Sequence, residues 1–191
     1  MFKPQHSVAL IAAIPLCLIV AASAAAQTTL VFVPGNTLGG FGNPSVDGNQ
    51  PYVTGIVATA PGTIVVTYVS GTVTDGPTIN TGPDGAPWNM GTGQTPMQEA
   101  AAISGGEVGD IDALIGIFVP KARVAAQGFS PVDGAKPLAP VGLLPSKLFF
   151  IGTGKTFTVR QAGTLFLGIN DDNAATNGGG FLVLITFTPA S

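Results

Sequence analysis

Past Cys17 the chain has no cysteine, and past His6 it has no histidine. Disulfides within residues 27–191 are therefore excluded, and stability there must come from buried apolar surface. The same absences remove the Cys–His and Ser–His arrangements of nucleophilic catalysis, and no serine sits in a G-x-S-x-G setting. Zinc chemistry loses its soft ligands. Charge is scarce as well: 9% of residues are charged, with seven Lys or Arg against ten Asp or Glu. A chain so poor in basic groups is unsuited to nucleic acid or to an anionic membrane surface. The ten acids stand mostly in loop-like stretches, and no spacing among them marks out a glycosidase pair. No enzyme class finds its residues here.

Apolar residues are plentiful at 46%, alongside 27 glycines and 16 prolines. Val, Ile, Leu and Phe are too abundant for disorder, so the composition is that of a loop-rich β protein. The first 26 residues stand apart. Lys3 and His6 precede the apolar segment Val8–Val20, and Ala21-Ala22-Ser23-Ala24-Ala25-Ala26 follows. A charged start, a core short for a bilayer and a small-residue site read as a signal peptide cut after Ala26. Leu16 is too large to precede a lipobox cysteine at Cys17. Residues 27–191 then form one domain, exported to the periplasm or medium, with a formal charge of −4 once Lys3 has left the −3 of the whole chain.

The apolar runs predict an all-β, jelly-roll-like antiparallel sandwich of about eight strands: Thr28–Pro34, Val53–Ala60, Thr63–Val73, Ala113–Val119, Leu148–Ile151, Thr156–Arg160, Thr164–Ile169 and Phe181–Thr188. Pro61-Gly62 between the second and third suggests a hairpin. Thr95-Pro96-Met97-Gln98 looks like the start of a short helix. Long loops are expected over 35–50, 74–93 and 121–146. Gly152-Thr153-Gly154-Lys155-Thr156 resembles the end of a phosphate-binding loop, but Phe149 stands where its first glycine belongs, and an alternating, strand-like stretch follows. It reads as a hairpin turn with an exposed lysine.

The chain is organised around Gly163–Phe187, where two apolar runs flank a loop with Asn170, Asp171, Asp172, Asn173, Thr176 and Asn177. Carboxylate and amide oxygens gathered on one loop suit a hard cation such as calcium. Asp, Asn and Gly are also the commonest turn residues, so a plain hairpin connection accounts for the same composition. The EF-hand pattern fails, with Thr176 and Leu182 where counting from Asp171 requires Gly and Glu. Trp88, the single tryptophan, either pins its own loop or stacks on a sugar ring.

Val53-Thr54, Pro61-Gly62, Ser70-Gly71, Asp75-Gly76-Pro77-Thr78 and Gly82-Pro83-x-Gly85 occur in the order seen in LecA-like bacterial lectins. Ala113-Leu114-Ile115-Gly116, Phe150-Ile151-Gly152, Gly163-x-Leu165-x-Leu167-Gly168-x-Asn170-Asp171 and Asn177-Gly178-Gly179-Gly180-Phe181 resemble that family's second half. The resemblance implies a calcium-dependent, non-catalytic carbohydrate-binding module, in which sugar hydroxyls complete the coordination of the ion. Carried over by position, it places the Asp75 carbonyl and the Asp171 and Asn177 side chains on calcium, with Asp172, Asn173 and Thr176 within reach. Trp88 and Asp172 are then the candidates for touching the glycan. The family's loop histidine has no counterpart, so the sugar, galactose-type or another, stays open, as does the oligomeric state. The rival reading is a structural or adhesive envelope protein that keeps the fold without binding sugar.

The signal-peptide reading has a direct check. Intact mass of exported protein should give a chain beginning at Gln27, and an exported species that retains Met1 would refute the cut.

Overall fold

The computed structural model describes residues 25–37, 52–75, 79–87, 109–122, 148–171 and 174–191. β-Branched and aromatic residues dominate these stretches, and they fold into nine strands. These are β1 Gln27–Pro34, β2 Tyr52–Ala58, β3 Gly62–Asp75, β4 Ile79–Thr81, β5 Leu114–Pro120, β6 Phe149–Phe150, β7 Gly154–Val159, β8 Gly163–Ile169 and β9 Gly178–Pro189. One 3-10 turn, Ala174–Thr176, separates the last two.

The strands form two antiparallel sheets packed face to face, an all-β sandwich. The first runs β1-β9-β3-β4, with β7 paired to the opening half of β3, and the second runs β2-β8-β5-β6. Alternation assigns each side chain its layer. In β9, Phe181, Val183, Ile185 and Phe187 are fully buried, whereas Leu184 between them and Thr188 after them face solvent. They meet Ile64 and Val66 of β3 and Val31 and Val33 of β1, and across the layer Ile56, Leu165, Leu167 and Ile169. In the second sheet β8 shows no alternation: each of its residues is buried, consistent with its unbroken apolar sequence.

Three expected hairpins are instead crossings between sheets. Val53–Ala60 and Thr63–Val73 do not pair, because β2 lies beside β8 in one sheet and β3 beside β9 in the other. The apolar runs around the 170–177 loop likewise sit in different sheets, which makes the loop an arch across the end of the sandwich. The Gly152–Lys155 turn passes from β6 to β7, again between sheets. There Gly152 has φ +57°, and the Thr153 amide donates to Asp84 Oδ1 at 2.9 Å, so the turn holds one of the chain's own carboxylates. Lys155 is half-buried, 5.6 Å from the centre of the Phe149 ring, and not simply exposed. Turn residues mark where a strand stops, but they do not say whether the chain folds back in its own sheet or steps to the other. β4 is a further difference, a short strand inside the expected 74–93 loop. The residues expected to open a helix at Thr95, the loops 38–50 and 123–146, and the first 24 residues lie outside the described residues.

The one-sided first sheet gives an asymmetric prediction. Phe181→Ala should destabilise the fold by about 3–5 kcal/mol, while Leu184→Thr on the other face of the same strand should stay within about 0.5 kcal/mol. Urea denaturation of both variants checks it, and equal losses would contradict the assigned faces.

Candidate functional site at the acidic end of the sandwich

Antiparallel pairing of β5 with β8 sets Leu114 opposite Ile169. Whatever precedes β5 must therefore meet whatever follows β8. Asp112 lies just before the first and Asp171 just after the second, and both are buried, at 0% and 3% exposure. Asn170 ties the two segments together. Its main chain exchanges hydrogen bonds with its neighbours, the Asp112 amide donating to Asn170 O at 3.1 Å and the Asn170 amide donating to Ala113 O at 2.9 Å. Its side-chain Nδ2 donates to Gly109 O at 3.0 Å and to Asp110 O at 2.9 Å.

The loop that leaves β4 holds the same segment from its other side. Ala86 and Ile111 exchange hydrogen bonds of 2.9 and 3.1 Å, and the Leu114 amide donates to Pro83 O at 2.8 Å. Gly85 makes the approach possible: at φ +80° it adopts a left-handed conformation, and a Cβ there would run into Ile111 O. Thus clamped, Asp112 takes φ 60°, and it is the one non-glycine residue with positive φ among those described. Asp and Asn tolerate that region better than other side chains.

Asn177, between the 3-10 turn and β9, closes the cluster. Its Nδ2 donates to Asp112 Oδ1 at 2.9 Å and to Asp171 Oδ2 at 2.8 Å. Among the described residues two buried side-chain oxygens have no hydrogen-bond partner, Asp112 Oδ2 and Asn177 Oδ1. Burial, with the charges of Asp171 and then Asp75 nearby, pushes the Asp112 carboxyl up to about 7, against a lowering pull from the Asn177 amide. Asp75, at the end of β3, is raised too, by burial first and by the Asp171 charge second. Strand ends from both sheets therefore converge on one acidic point.

Of the expected site residues, Asp171 and Asn177 are in direct contact, and Asp75 stands close enough to feel Asp171. Thr176, the last residue of the 3-10 turn, is exposed, unlike Asp171 and Asn177. Asp172, Asn173 and Trp88 lie outside the described residues. Sequence reasoning missed Asp112. Its signal was Asp110-Ile111-Asp112 ahead of one apolar run and Asn170-Asp171 behind another, informative only once those two runs are known to pair.

No group of three or more His, Cys, Asp or Glu side chains among the described residues is set to hold an ion. The donors that do meet are two carboxylates and a carboxamide, an oxygen-only set of the kind hard cations take. At the opposite end of the sandwich a cavity of about 150 Å³ is lined by Val57, Ala58, Thr59, Lys121, Ala162, Gly163 and Thr164. It has no acid in its wall. No protein-family model matches the chain, and no curated protein matches it.

The raised carboxyl fixes the sign of a pH dependence. An unfolded Asp titrates near 3.9, so between about 4 and about 7 the native state holds a proton that the unfolded chain has released. The contribution of Asp112 to stability is then full below about pH 4 and declines until about pH 7, and the shift of Asp75 acts in the same direction. In chelator-treated protein the melting temperature should fall over this window, and Asp112→Asn should flatten the fall. A melting temperature that rises across it would contradict the burial of an unneutralised Asp112.

Proposed function

We propose that the chain is an exported, non-catalytic binding module that holds calcium at the acidic end of its sandwich and uses it to bind carbohydrate. The observation that carries this reading is Asn177. Its carboxamide is almost fully buried against Asp171, yet its Oδ1 has no partner. A buried amide oxygen left unpaired is costly, and a hard cation shared with the Asp171 carboxylate removes that cost. The Asp75 main chain, at the end of β3, is the third contributor that the lectin resemblance implies. Loops at one end of a rigid sandwich are where binding surfaces gather, and sugar hydroxyls suit the open positions of an oxygen-coordinated ion.

One further observation favours the structural or adhesive alternative. Leu30, Phe32, Val65, Val69 and Leu184 are exposed on strands β1, β3 and β9, and Leu30 and Leu184 are directly paired. An apolar face of this kind suits association with protein or matrix.

Calcium at about a hundred times its dissociation constant should stabilise the fold by roughly 2.7 kcal/mol, a rise of roughly 5–10 °C in Tm. Asp171→Ala should abolish most of it, and magnesium should substitute poorly because it demands tight octahedral geometry. Melts of metal-stripped protein with calcium, magnesium or neither test the ion, and a glycan array with and without chelator tests the sugar. Identical melts remove the calcium. Self-association that ignores calcium, with no glycan bound, would favour the adhesive reading.

A further inference from the structure

The pairing of Asp171 with Asn177 leaves a second buried acid unexplained. Asp112 is entirely enclosed, in a backbone conformation that non-glycine residues seldom adopt, with one carboxylate oxygen on Asn177 and the other on nothing. Protonation does not remedy this, since an O–H at Oδ2 would need an acceptor and Oδ2 has no partner of either kind. Two carboxylates sharing one amide NH2 remain poorly neutralised, because an amide carries only a partial charge.

We propose that Asp112 is a second anionic ligand of the ion held by Asp171 and Asn177, and that the ion thereby fastens the 109–113 segment to the 170–177 arch. The inference rests on the calcium reading and adds to it a ligand from a part of the chain that reading does not use. Three observations converge. The Leu114–Ile169 register and the four hydrogen bonds of Asn170 deliver Asp112 to the arch whatever its side chain does. Asn177 already touches both carboxylates, at 2.9 and 2.8 Å, so one point lies within reach of all three side chains. A half-turn of the Asn177 carboxamide exchanges its nitrogen for its unpartnered oxygen, which turns an amide between two acids into three oxygen donors from three segments. Two carboxylates balance a divalent charge, and ligand charge count is what tunes calcium affinity.

The test is calorimetric titration of calcium into metal-stripped protein at pH 8, comparing wild type, Asp112→Asn and Asp171→Asn. Asparagine keeps the shape and tolerates the left-handed backbone, so the variant isolates the charge. Asp112→Asn should weaken calcium by at least about tenfold, of the same order as Asp171→Asn, as expected for loss of a charged ligand. Unchanged affinity in Asp112→Asn, with loss in Asp171→Asn, would overturn the assignment of Asp112 while leaving the calcium site standing. A wild type that binds no ion would overturn both. Should Asp112→Asn fail to fold, amide exchange of the wild type decides the matter. Calcium should slow exchange at Asp112 and Ala113 together with Asn170 and Asn177, and slowing confined to residues 170–178 would refute the proposal.

Discussion

Two carboxylates in a dry environment repel one another, and a fold avoids placing them together unless something else determines their positions. Here the determinant is strand pairing. Seven consecutive pairs between β5 and β8, from Leu114–Ile169 to Pro120–Gly163, are set by the burial of every β8 side chain. A slip of one residue would exchange the two buried faces of β8 and misfit the packing on both. Asp112 and Asp171 are neighbours because the core leaves them no other place, and the Asn177 amide is what the sequence supplies between them. The cation affinity proposed above would then be a by-product of a register chosen on apolar grounds.

Much of the fold was legible because its strands are written as apolar runs between turn residues. Phe181–Phe187 and Leu165–Ile169 are apolar runs, so strand existence could be read locally, whereas the exposure of Leu184 within the first run could not. Nor could sheet membership. Pro61-Gly62 and the Gly178–Gly180 stretch allow a chain to reverse within a sheet or to cross between sheets, and only contacts far apart in sequence decide which. The site was legible to the same extent. Asp171 and Asn177 lie six residues apart on one loop and were visible as a cluster, whereas Asp112 comes from about sixty residues earlier and becomes a neighbour only through pairing. Thr176, beside Asn177 on the same loop, is exposed where Asn177 is buried, a difference that composition does not reveal.

The glycines that close the arch belong to the same account. Gly179, at φ +69°, lies where a Cβ would strike Thr72 O, so β9 can begin against β3 only with a residue that lacks one. The stretch that reads as a turn signal is in fact the first part of a strand, and its close approach carries Asn177 down onto the carboxylates. Backbone proximity at Gly179 and side-chain contact at Asn177 are consecutive consequences of one packing decision.

The place of β9 in its sheet also governs how the molecule comes into being. It is an inner strand, paired along one edge with β1, from Gln27–Phe187 to Pro34–Gly180, and along the other with β3. Chain emerging from a ribosome offers β1 no partner until some 150 residues later have appeared, and β3 waits more than 100 residues for its pairing with β9. Contacts so distant in sequence form slowly, because loop closure must precede any reward. The nascent chain therefore has little to fold onto while it is being made, and the sandwich assembles late and nearly all at once. If the chain is exported before it folds, as proposed above, such delay would be an advantage that strand order alone provides.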